Sequence, residues 1–224
     1  MYLRNETKSF KIANLTIGGN NKIYIQSMTN TKTKDVENTV KQILELESAG
    51  CEIIRVAVLD KEDAIAISSI KKEIHIPLVC DIHFDPELAI LAIKNGADKI
   101  RLNPGNISNK DKIKEIVQLA ELHNVPIRIG VNAGSLPKGM SVNAENMIKA
   151  CKMHVEILEE LDFTNIVLSL KASSCELSLE AYKLASKEFP YPIHVGITEA
   201  GTTFSGLIKS SIGISNILNL GIGN

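Results

Sequence analysis

Seven short runs rich in β-branched residues recur along the chain, at 23–28, 53–58, 76–84, 99–103, 126–132, 165–173 and 191–198, and each is followed by a longer amphipathic stretch. Strand–helix alternation of this kind leaves few architectures open. The runs are nearly continuous in apolar character, as strands buried on both faces are, and this requires a parallel sheet covered by helices. Seven units in series favour closure over an open doubly wound sheet. The expected fold is therefore an α/β TIM-type (β/α)8 barrel, with seven strand–helix units in this chain and the eighth strand missing beyond Gly221-Ile222-Gly223-Asn224.

The stretches between the runs have helical spacing. Val36, Val40, Ile43 and Leu44 share a face after an Asp35 cap, with Gly50 past the last turn; Ile113, Ile116, Val117 and Ala120 do so after Ser108, and Met147, Cys151, Val155 and Leu158 in the next unit. Ahead of the first run, residues 9–25 alternate apolar and polar around Gly18-Gly19-Asn20-Asn21, which predicts a β-hairpin turning at those four residues.

At 224 residues and 44% apolar, the chain is sized for one domain spanning 1–224. Its 25 basic and 26 acidic side chains contain no basic run longer than two, so neither nucleic acid nor a membrane surface is an expected partner. No signal-like apolar region opens the sequence and no run is long enough to span a bilayer, which makes a cytoplasmic protein the expectation. Cys51, Cys80, Cys151 and Cys175 form no C-x-x-C pair; they read as buried reduced thiols, and no metal ligand set is expected from this chain alone.

Only four of the 25 basic residues are arginine, so lysine carries nearly every ordinary solvated charge and the arginines stand out. Chemistry in a (β/α) barrel sits at the C-terminal ends of the strands. Polar residues interrupt the apolar runs there: Arg55; Asp81, His83 and Asp85; Arg101 and Asn103; Arg128 and Asn132; Ser169 and Lys171; His194 and Thr198, followed by Glu199. Within each later set the members named as pairs lie two or four residues apart, which places them on one face of their strand. Three arginines and Lys171 around one mouth repel one another unless an anion completes them, and the guanidinium fork matches phosphate oxygens. A phosphorylated small molecule is the substrate class this implies.

The competing reading pairs each arginine with an acidic neighbour, Arg55 with Glu52 or Arg101 with Asp98. Asp81 and His83 suit a metal pair, an acid–base pair or contacts to substrate hydroxyls, of which the last is preferred. His75 and His123 read as solvated. Asn103-Pro104-Gly105-Asn106, Asn132-Ala133-Gly134-Ser135 and Glu199-Ala200-Gly201 read as tight turns whose N–H groups could face an oxyanion.

Several longer strings carry a resemblance: QSMTNTKT with the preceding IGG, AGCEIIRVAV, PLVCDIHFD, ADKIRLNPGNI, VPIRIGVNAGSL, SLKAS and ITEAGTTFSGLIKSSIGI, in this order over nearly the whole chain. Together they resemble the barrel domain of the hydroxymethylbutenyl diphosphate synthase (GcpE) family. The resemblance implies an iron–sulfur oxidoreductase of non-mevalonate isoprenoid biosynthesis that reductively opens 2-C-methyl-D-erythritol 2,4-cyclodiphosphate. It places diphosphate ligands at Arg55, Arg101, Arg128 and Lys171, and further contacts at Asp81, His83, Asn103, Asn132, Thr198 and Glu199. His83 and Glu199 are the candidate catalytic groups, with the proton donor left open.

The resemblance also implies a 4Fe-4S cluster whose ligands are expected beyond Asn224, flavodoxin or ferredoxin as electron donor, and a homodimer when full length. The four cysteines here do not match those ligands, so this chain alone is expected to bind no cluster and to be inactive. Two other readings stay open: a phosphate-binding barrel transferase resembling dihydropteroate synthase, and a fragment that binds a diphosphate without turning it over.

Overall fold

The computed structural model describes residues 4–224. An antiparallel hairpin, β1 (Ser9–Ile12) and β2 (Leu15–Gly18), precedes a parallel sheet in the order β3 (Gln26–Met28), β4 (Ile53–Ala57), β5 (Leu78–Asp81), β6 (Lys99–Arg101), β7 (Ile127–Asn132) and β8 (Ile166–Lys171). The helices are α1 (Val36–Ser48), α2 (Lys61–Glu73), α3 (Pro86–Lys94), α4 (Lys110–Leu122), α5 (Ala144–Glu159), α6 (Cys175–Glu188) and α7 (Thr203–Leu218). This is the expected barrel wall, one helix after each strand. Alternation along the strands sends Ile54, Val56, Leu78, Cys80, Ile100, Ile127, Ile129, Leu168 and Leu170 outward into a continuous core with the helices.

Each helix starts from a side-chain cap. Asp35, Asp60, Asp85, Asn109, Asn143, Ser174 and Thr202 accept an N–H two or three residues ahead, a contact worth about 1 kcal/mol each. Two of these revise the sequence reading. The cap of α4 is Asn109 rather than Ser108, and Asp85, which alternation put on the site face, is committed to capping α3. The buried faces of α4 and α5 are those expected, and on α1 the buried pair is Thr39 and Ile43.

The hairpin turns at Ala13-Asn14, with Ile12 paired to Leu15, not at Gly18–Asn21 as the glycines predicted. Gly18 is the last residue of β2, opposite Ser9. Ala13 adopts φ +50, a conformation that L residues rarely take and that no sequence signal marks. Ile12 and Ile17 from the hairpin pack on Ile53, Val79 and Val167, which lie at the beginnings of β4, β5 and β8. The hairpin thus stops the N-terminal end of the barrel with apolar side chains.

The seventh run does not form a regular strand. It makes a single parallel bridge, Ile193 to Leu168, with His194 N–H donating to Leu168 O (2.8 Å) and Leu168 N–H to Pro192 O (2.9 Å). Pro190 and Pro192 remove two ladder donors and Gly196 adds no packing, which explains the shortfall. Other groups hold the segment instead: the buried Tyr182 hydroxyl donates to His194 O (3.2 Å), and Asn224 exchanges backbone and side-chain bonds of 3.0 Å with Ile193. Among the described residues β3 and this segment do not pair with each other.

Ile12→Ala should destabilise the chain by about 2–5 kcal/mol, because the stopper loses a fully buried side chain that cannot collapse without moving the hairpin. Ile65→Ala, at a position 56% exposed, should stay within about 0.5 kcal/mol. Urea unfolding followed by circular dichroism checks both, and equal midpoints would deny the hairpin a stabilising role.

Candidate functional site

The inward faces of the strands converge as the i, i+2 spacing required. Met28, Arg55, Asp81, Arg101, Arg128, Gly130, Asn132, Ser169 and Lys171, with His83 and Thr198 at the rim, enclose a cavity of about 300 Å³. Neither proposed local ion pair exists: Glu52 binds Lys22, and Asp98 binds Lys71 on the outer side of the sheet. The arginines are left facing the cavity.

Asp81 is the one carboxylate lining it. It lies 3.8 Å from Arg55 Nε, 3.4 Å from Arg101 Nη1 and 3.6 Å from His83 Nε2, so three groups share it and none makes a short hydrogen bond. The Arg55 fork rests on the Met28 thioether, Nε at 3.0 Å and Nη2 at 2.7 Å from Sδ, a weak acceptor for a guanidinium. Arg101 Nη2 donates to Gly130 O at 2.9 Å. Arg128 is 1% exposed, and its Nε and Nη1 have no partner.

Burial is the leading influence on the charges here. It presses the Arg128 pKa down to about 9, with Arg55 next in effect, and Lys171 down to about 7, with Arg128 and Arg55 adding to it. Arg55 is lowered for the same reason, partly offset by Asp81. An anion supplies what the wall lacks: counter-charge for the cations and acceptors for the free N–H groups of Arg128.

Two glycines make the cations fit. A Cβ on Gly130 would stand 2.8 Å from Arg101 Nε, and one on Gly196 would stand 3.1 Å from Lys171 Nζ. The sequence reading passed over both, and over Met28. It also missed Lys99, buried on the inward face of β6 two residues before Arg101 and detectable by the same alternation rule. His154 had no signal within its helix; its Nδ1 accepts the Gly105 N–H at 3.0 Å, which takes that turn's donor out of use as an oxyanion contact. Burial lowers the His154 pKa to about 4, so the ring is neutral as this bond requires.

The other expected residues fall outside the cavity. Asn103 bridges β6 to β7, its amide donating to Gly130 O and accepting Gly130 N–H, both at 2.9 Å. It faces an adjoining chamber of about 580 Å³ that shares His83, Arg101 and Asn132 with the first and adds Phe84, Pro137, Met153 and His154. His194 does not line either cavity, and burial followed by Arg128 and Lys171 holds it well below the usual imidazole range. Glu199 is exposed at φ +50, away from both cavities. His75 and His123 are exposed, as expected.

Cys51, Cys80 and Cys151 are buried and Cys175 is half-buried. Burial pushes the Cys151 thiol up to about 12 and Cys80 higher still. No group of three or more His, Cys, Asp or Glu among the described residues could hold a metal ion, and no helix among them is long and apolar enough to cross a membrane.

Residues 7–224 match the family model described as the GcpE TIM-barrel domain. The chain is 54% identical over 226 aligned positions to 4-hydroxy-3-methylbut-2-en-1-yl diphosphate synthase (flavodoxin) of Macrococcus caseolyticus, covering 99% of this chain and 61% of that protein. The protein of the same name from Geobacillus thermodenitrificans is 56% identical, with 99% and 60% covered. The chain thus spans about three fifths of the length of the curated relatives it matches. Among solved structures, Yersinia pestis dihydropteroate synthase superposes with TM-score 0.64 at 11% identity, covering 95% of this chain and 87% of that one. The 3-dehydroquinate dehydratase of Geobacillus kaustophilus does so with TM-score 0.64 at 15%, covering 92% and 83%. At these identities the likeness is one of fold.

Gly130→Ala should leave the barrel folded, with a melting temperature within a few degrees of wild type, while expelling Arg101 from its place against the Gly130 carbonyl. Loss of that one charge-assisted contact should weaken inorganic pyrophosphate binding about tenfold or more by calorimetry. Unchanged affinity would mean that Arg101 does not touch the anion.

Proposed function

The chain belongs to the GcpE TIM-barrel domain family, and from that premise we propose that it is the substrate-binding barrel of a 4-hydroxy-3-methylbut-2-en-1-yl diphosphate synthase. Its ligand in this reading is 2-C-methyl-D-erythritol 2,4-cyclodiphosphate, held at the mouth by its diphosphate. The observation that carries the reading is Arg128, a buried guanidinium with two unpartnered donors amid Arg55, Arg101 and Lys171. That arrangement is complete only with a multiply charged, oxygen-rich ligand present.

The residues then divide the work. Arg55, Arg101, Arg128 and Lys171 bind the diphosphate, and Asp81 orients Arg55, Arg101 and His83 around it. Asn132, Ser169 and Thr198 supply hydrogen bonds along the wall, and His83 stands at the rim where a ring carbon or hydroxyl would emerge. Glu199 reaches substrate only if its loop turns inward, so His83 is the better placed proton donor.

Reductive ring opening needs two electrons. A 4Fe-4S cluster would deliver them, but the residues described do not fit such a group: the cysteines are dispersed, three are sealed in the core, and no cluster of ligands forms. In this proposal electrons reach the barrel from a cluster-bearing domain fed by flavodoxin, the donor in the relatives' names, and a homodimer brings such a domain over the mouth of the neighbouring barrel. The transferase alternative rests on backbone likeness alone, whereas the strand-end strings and the 54–56% identities favour the synthase.

Arg101→Ala or Arg128→Ala should weaken binding of the cyclic diphosphate about tenfold to a hundredfold, from roughly 1.5–3 kcal/mol per charge-assisted contact. Arg→Lys should restore only part of this, because the ammonium lacks the planar fork. Calorimetric titration compares these variants with Lys183→Ala on the outer face of α6. If all were folded and bound alike, the arginines would not be substrate ligands.

A further inference from the structure

Beneath the ring of arginines lies a buried lysine that the substrate reading leaves without a task. Lys99 is 2% exposed, on the inward face of β6. Its Nζ reaches across the barrel to Gln26 Oε1 of β3 at 3.3 Å, a neutral acceptor and its only hydrogen-bond partner among the described residues. Asp98, the acid next to it in sequence, points to the other side of the sheet and is taken by Lys71 and the Leu78 N–H. No carboxylate pairs with Lys99.

We infer that Lys99 forms the floor of the anion site, and that a diphosphate settling above it draws a proton from solvent onto the Lys99 amine. The inference rests on the diphosphate reading of the cavity and adds to it a coupled proton.

The groups around Lys99 carry the argument. β4 contributes Arg55, β7 Arg128, β8 Lys171 and the 191–198 segment His194, β3 offers the neutral Gln26 and β5 the apolar Val79 level with Lys99, while Asp81 and Arg101 stand two residues nearer the mouth on β5 and β6. In the empty site this surrounding is strongly cationic and dry. Burial first, then Arg128, Arg55 and Lys171, lower the Lys99 pKa well below the ordinary lysine value, and with only a neutral acceptor at its nitrogen the amine is, in this proposal, uncharged until an anion binds. A bound diphosphate reverses the sign of the nearest charge. The lone pair then takes one proton from the buffer, R–NH2 becoming R–NH3+, and nothing else is made or broken. Because the complex holds a proton that the free protein lacks, affinity falls as pH rises. Lys99 would thereby favour ligands with enough charge to recruit that proton, diphosphates over monophosphates.

The test is calorimetric titration of the chain with inorganic pyrophosphate at pH 8, in two buffers of different ionisation enthalpy, for wild type, Lys99→Met and Lys99→Arg. Wild type should take up about one proton more per ligand than either variant, since methionine cannot protonate and arginine is already charged. Proton exchange by free pyrophosphate is common to all three and drops out, and Lys171, whose charge couples to that at position 99, is separated by repeating the titrations in a Lys171→Met background. Between pH 7 and 9 wild-type affinity should fall more steeply than that of Lys99→Met, by up to about tenfold per unit. Equal uptake in all three would overturn the inference and leave the pocket intact. Absence of pyrophosphate binding in all three would overturn the pocket reading and the inference with it. If Lys99→Met does not fold, the 13Cε chemical shift of Lys99 in the wild type decides alone: it should move from an amine to an ammonium position on adding pyrophosphate, and an ammonium shift before addition would refute the idea.

Discussion

The barrel interior concentrates Arg55, Arg101, Arg128 and Lys171 around the single carboxylate of Asp81, in a space that excludes most water. Charges of one sign in such a place repel strongly, and the fold tolerates them only because the surrounding wall is rigid. Much of the rest follows from that constraint. The helices and their seven caps fix the strand ends, Asn103 ties β6 to β7 beside Arg101, and Gly130 and Gly196 clear the volume that the cationic side chains fill. The empty protein holds this repulsion as unfavourable energy, and an anion releases it. Binding strength in such a site comes from relief of strain between charges as much as from new contacts.

The same constraint explains why weak partners recur. Arg55 leans on a thioether, Lys99 on a neutral amide, and Asp81 meets Arg55, Arg101 and His83 with a single long hydrogen bond, from Arg101 Nη1 at 3.4 Å. Tighter pairing would stabilise the empty barrel but would compete with the ligand. Loose partners keep the donors oriented and available.

Much of this was legible in the sequence because two periodicities, 3.6 and 2, dominate it. The helix faces of α4 and α5 and the convergence of Arg55, Asp81, Arg101, Arg128, Ser169 and Lys171 follow directly from spacing. What escaped depended on contacts far apart in the chain. Nothing near Gly130 announces that Arg101 lies against it, and His154 acts on a turn 49 residues away. The glycines at 18 and 19 advertised a turn that Ala13 takes instead, since backbone pairing with β1 outweighed local preference. His194 and Thr198 share the even spacing of the other site residues, with Glu199 next, but they lie in or just past a segment whose prolines and glycine keep it from continuing as a strand, and without a regular pleat the alternation rule loses its force.

The hairpin at the foot of the barrel bears on traffic. With Ile12 and Ile17 seated on Ile53, Val79 and Val167, the N-terminal end of the barrel is shut by apolar side chains. A molecule entering at the mouth has no passage through that end, so neither water nor a second ligand can push it out from below.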